Sequence, residues 1–171
     1  MWALGHNLDV CSGIAPVADL AAGANTGHRL HLKNYEGAVV VFMKNTASAG
    51  TDDIVITLQE HNAATSGTSA NLAVITEYYY KREASLDGDE AWVQVTQSAG
   101  ATITLAGATY ATLQAVVAFH VEAPQLSDDY EWVSVNIADP GSGGTIPGVY
   151  FYIPYGLKRR RLPSLLAQPN A

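Results

Sequence analysis

The chain has 171 residues, the length of one domain, with 48% apolar and only 15% charged residues, against about 25% charged in an average soluble protein. Plentiful aromatic and β-branched residues exclude a disordered chain, and a chain of this length can build a core without a metal or disulfide. A net charge of −7 argues against a nucleic-acid binder acting through its whole surface, and no apolar run approaches the roughly 18 residues of a membrane-spanning helix.

Residues 1–27 are rich in Ala and Gly, with Pro16 and no sustained period, and read as an N-terminal arm. The first six residues lack the positive segment and apolar stretch of a secretory signal. Cys11 is the single cysteine, so an intramolecular disulfide is excluded, as suits a reducing cytosol. Only His6 offers a nearby basic group, so Cys11 is expected to be a small packed residue and not a nucleophile.

From residue 28 the pattern becomes that of strands. Leu30 and Leu32 alternate with His31 and Lys33; residues 38–43 are apolar on both faces, as in a central strand; residues 54–60 alternate again. A polar loop over 62–69 leads to a strand reaching Lys81 through Tyr78, Tyr79 and Tyr80. Asp87-Gly88 is the pair favoured in tight hairpins. Strands follow over 91–96, 102–105, 112–122, 130–137 and 149–153, the last closed by Pro154 and Gly156 after a Gly-rich loop at 140–144. About nine short strands with turn residues between them predict an all-β fold, an antiparallel sandwich or barrel over residues 28–157.

Charge is unevenly placed. Residues 1–157 hold five basic and sixteen acidic residues, a net −11, while Lys158, Arg159, Arg160 and Arg161 give residues 158–171 a net +4. Leu162, Leu165 and Leu166 add apolar anchors to this basic C-terminal arm, a combination suited to docking on an acidic protein surface.

The catalytic signatures are missing. Gly67-Thr68-Ser69-Ala70 lacks the second glycine of a nucleophile elbow, and the 141–144 loop lacks the ending of a phosphate loop. The five histidines, His6, His28, His31, His61 and His120, have no zinc spacing, and His120 reads as a core or interface residue. Acidic pairs at Asp52-Asp53, Asp87 to Glu90 and Asp128-Asp129 are explained by turn formation, with calcium as the alternative. No enzyme, cofactor or resident metal is expected. Tyr78, Tyr79 and Tyr80, with Tyr150 and Tyr152, fit a protein interface better than a sugar-stacking platform.

Three segments carry a family resemblance: residues 9–13 (Asp-Val-Cys-Ser-Gly), residues 34–42 (Asn-Tyr-Glu-Gly-Ala-Val-Val-Val-Phe) and above all residues 125–135 (Gln-Leu-Ser-Asp-Asp-Tyr-Glu-Trp-Val-Ser-Val). The sequence resembles tailed-bacteriophage virion structural proteins, most closely small β-rich capsid decoration, or cement, proteins. With the strand reading, this gives the expectation of a jelly-roll β-sandwich without catalysis. The resemblance implies binding to the major capsid protein on the capsid exterior, after synthesis in the bacterial cytoplasm. Self-association is also expected, with a trimer favoured, and no direct contact with nucleic acid or membrane. A neck, collar or tail component is the alternative, and a carbohydrate-binding β module a more distant one. The basic arm is not part of the resemblance.

Overall fold

Residues with alternating side chains form the strands of this protein, seen here in a computed structural model that describes residues 3–17, 19–49, 52–141 and 144–159. These residues contain eleven strands: β1 (Cys11–Val17), β2 (Leu30–His31), β3 (Gly37–Lys44), β4 (Ile54–His61), β5 (Ser69–Asn71), β6 (Ile75–Glu83), β7 (Val93–Gly100), β8 (Thr102–Leu105), β9 (Gln114–Glu122), β10 (Trp132–Ile137) and β11 (Gly148–Tyr155). A single helical turn, α1 (Gly107–Tyr110), precedes β9. The fold is all-β and has two antiparallel sheets. One has the order β1-β11-β3-β9-β6-β7; the other runs β2-β10-β4, with β5 and β8 paired to the two halves of the remaining edge of β4.

The core lies between the sheets, where period-two alternation sends every second side chain. Ala38, Val40 and Phe42 of β3, Val117, Phe119 and Val121 of β9, and Tyr150 and Tyr152 of β11 meet Ile56 and Leu58 of β4, Ile103 of β8, and Val133, Val135 and Ile137 of β10. Two tyrosines in a core need partners for their hydroxyls. Tyr150 donates to the Val135 carbonyl; Tyr152 donates to the His28 carbonyl at 2.9 Å and accepts from the Val135 amide at 3.2 Å. Their rings pack edge to face, with centroids 5.6 Å apart.

The N-terminal arm expected over 1–27 is corrected. Residues 11–17 form edge strand β1 on β11, Cys11 and Leu20 are fully buried, and Asn25 exchanges backbone hydrogen bonds with Ile137. Register shifts on both sides of Ile14 break the alternation that would have revealed the strand. Gly13 is required by packing, since a Cβ there would sit 1.9 Å from the Tyr150 ring. Three further boundaries differ. The strand expected over 72–81 begins three residues later, with Leu72 and Val74 in a link between β5 and β6. The expected tight Asp87-Gly88 hairpin is instead a nine-residue loop between Glu83 and Val93. The two strands beyond the nine expected are β1 and β5.

Candidate protein-interaction surface

The two sheets present outer faces of opposite character. On the five-stranded sheet the outward positions are mostly polar, and several bond to one another. Asn136 donates to Gln59 at 2.6 Å and Gln59 to Asn71 at 3.0 Å. His61 bridges Ser69 Oγ (2.7 Å from Nδ1) and Ser134 Oγ (2.8 Å from Nε2). Burial, with the nearby Arg29 guanidinium, pulls the His61 pKa down to about 4, so the imidazole is neutral at pH 7. Trp132 stacks on His31 with centroids 4.2 Å apart, and Glu131 accepts from both His31 and Lys33 at 3.0 Å. Those hydrogen bonds hold the Glu131 carboxyl below its ordinary range.

On the six-stranded sheet the outward positions of the inner strands β11, β3 and β9 are largely apolar, with polar residues toward the β1 and β6–β7 edges. The central row crosses all six strands in register: Ser12, Phe151, Val41, Ala118, Tyr79 and Gln94. The row beside it is Val149, Met43, Val116 and Lys81, and the row on the other side is Ile153, Val39 and His120. The aliphatic and aromatic members are all part-exposed, with Met43 40% accessible. An antiparallel sheet in a sandwich ordinarily turns polar side chains to water on this side. A contiguous, part-exposed apolar face of this kind is a candidate interaction surface.

The expected interface residues divide. Tyr79 stands on the apolar face, whereas Tyr78 and Tyr80 turn inward and pack against the core, with the Arg82 guanidinium 5.0 Å from the Tyr80 ring. Lys158 is exposed, donates to the Lys33 carbonyl at 3.0 Å, and lines a shallow groove with Glu36, Glu122 and Tyr155. Arg159 is exposed as well. Arg160, Arg161, Leu162, Leu165 and Leu166 lie outside the described residues.

A sugar platform using Tyr150 and Tyr152 is excluded, because both are fully buried. His120 is not a core residue; it is exposed on the outer face of β9. Cys11 is buried beside Asp9, and desolvation followed by that carboxylate pushes its thiol up to about 12, so it holds its proton at neutral pH. The carboxylate oxygens of Glu83, at the end of β6, and of Asp89 and Glu90, in the β6–β7 loop, lie within 4.8 Å of one another, an arrangement surface acids also adopt without an ion. Sequence reasoning missed the apolar face as a unit. Its signal is that β3, β9 and β11 are apolar on both sides, although each belongs to a two-layer sandwich. Comparison with known proteins finds no matching family model, no matching curated protein and no matching solved structure.

Proposed function

We propose that this chain is a non-catalytic structural protein of a tailed-phage virion, decorating the capsid exterior and stabilising it by binding across subunits of the major capsid protein. The observation that carries this reading is the apolar outer face of the six-stranded sheet on an otherwise acidic body. Such a face is costly in water and gains when flat protein surfaces cover it. The connectivity supports a jelly-roll description. The chain alternates sheets through β1, β2, β3 and β4 and again through β8, β9, β10 and β11, so that β1-β11-β3-β9 faces β2-β10-β4-β8, with β5, β6 and β7 as an insertion. A rigid sandwich with a basic terminal segment suits attachment at many symmetric positions, where weak individual contacts combine.

The test is co-sedimentation of purified chain with particles stripped of it. Saturable binding that falls at least tenfold when Val41 and Phe151 are both changed to threonine supports the proposal. Binding that ignores this face overturns its surface assignment. Saturation at a few copies per particle moves the chain to the neck, collar or tail, and saturable capture by a glycan array would favour the carbohydrate-binding reading.

A further inference from the structure

The apolar face carries two charges whose placement is informative. On β6, Glu77 and Lys81 lie two residues to either side of Tyr79, on the same outward side, and Tyr79 belongs to the central row. Gln94 donates to Glu77 at 2.6 Å and the Lys81 ammonium lies 5.3 Å from the centre of the Trp92 ring, so both charges are held along the outer surface. Opposite charges are thus disposed symmetrically about the row that runs Phe151, Val41, Ala118, Tyr79.

We infer that this face pairs with the same face of a second copy, about a two-fold axis lying in the interface along the central row. The inference rests on the proposed function only in taking this face as protein-binding: a second copy covers the face in the free chain and gives way to capsid protein on attachment. Rotation about that axis sets Val41 on Val41 and Tyr79 on Tyr79. It also exchanges the two flanking rows, which brings Lys81 of one copy over Glu77 of the other, twice. An isologous interface requires such self-complementarity, and opposite charges at its rim fix orientation. Rotation about an axis parallel to the strands would instead set Lys81 beyond Val149 and leave both charges unmatched, so the charges select one of the two pairings. The sheets then pack face to face, as two layers of a sandwich do.

Area agrees with a reversible pair. The three rows hold six, four and three residues, and with strands about 4.8 Å apart and rows about 7 Å apart they cover about 440 Å² per copy. That is about 900 Å² in total, in the range of weak, transient interfaces. A two-fold pair, and not the trimer expected from the sequence, is therefore the assembly assigned to this face.

Sedimentation velocity on the full chain, from low micromolar to near-millimolar concentration, tests the pairing. The expected result is a monomer–dimer equilibrium. Lys81→Glu or Glu77→Lys alone weakens it about tenfold, and the double swap restores it to within about threefold, each variant keeping the wild-type circular dichroism spectrum. A wild-type chain that stays monomeric throughout, or a double swap no better than the singles, overturns the inference. The decoration reading fails separately: a chain that dimerises with swap rescue but is absent from particles overturns that reading alone. A monomeric chain that still saturates particles through Val41 and Phe151 overturns the pairing alone.

Discussion

Val41 and Phe151 stand side by side on adjacent strands of the six-stranded sheet, both turned away from the core that their chain neighbours Val40 and Tyr152 fill. The pair shows two environments one residue apart on each strand. Changing Val41 or Phe151 to threonine should therefore cost no more than about 1 kcal/mol, as for other surface changes. Phe42→Ala, on the buried side of β3, should cost about 3–5 kcal/mol. Urea denaturation of the three variants measures the contrast. Equal losses would mean that the outer face is already packed in the isolated chain.

The sheets were legible in the sequence wherever alternation was unbroken. Residues 54–60 and the two-sided run 38–43 both fall within strands, and the latter is central, between β11 and β9. What escaped notice depended on long-range partners. β1 pairs with a strand more than 130 residues away, and its bulges erase the period on which a local reading relies. Tyr78, Tyr79 and Tyr80 look equivalent in sequence, yet the pleat sends the middle one outward and its neighbours inward. Each strand of the apolar face could be read alone, but its extent depends on the order β11-β3-β9-β6, which no local pattern encodes.

His61 makes stability pH-dependent on the acid side. Its pKa is about 4 when folded against an ordinary 6.5, so between those values the unfolded chain binds more protons and stability falls as pH drops. Over that window the loss from this group should reach about 2–3 kcal/mol. Denaturation at pH 7 and pH 4.5 should show a smaller difference for His61→Gln than for wild type. An unchanged difference would assign the acid sensitivity to other groups.

Lys44 is the buried cation of the described residues. Its ammonium donates to the Tyr110 and Leu113 carbonyls, each at 2.6 Å, tying the end of α1 to β3, and burial lowers its pKa to about 8. Lys44→Ala removes the donor and strands two carbonyls, which should destabilise the fold by about 2–4 kcal/mol. A loss below about 0.5 kcal/mol in denaturant melts would show that water replaces the ammonium at no cost.

Gly13 should not tolerate a side chain. A Cβ would overlap the Tyr150 ring, which is fixed by its hydrogen bond to Val135 and by edge-to-face packing on Tyr152. Gly13→Ala is expected to lower the thermal midpoint by several degrees, corresponding to about 1–3 kcal/mol of overpacking. An unchanged midpoint would mean that β1 can shift away from the sheet freely.

The basic segment acts, in this account, through charge. Removing residues 158–171 should leave the sandwich folded while weakening attachment to particles, and added salt should weaken the intact chain toward the truncated one, since about 1 M salt screens beyond about 3 Å. Particle binding by the intact chain that is indifferent to salt would remove the electrostatic part.

Quantitative mass spectrometry of purified particles, scaling this chain against the major capsid protein, tests the central claim most directly. The account predicts a ratio near one copy per capsid subunit. Absence of the chain from the particles would contradict it.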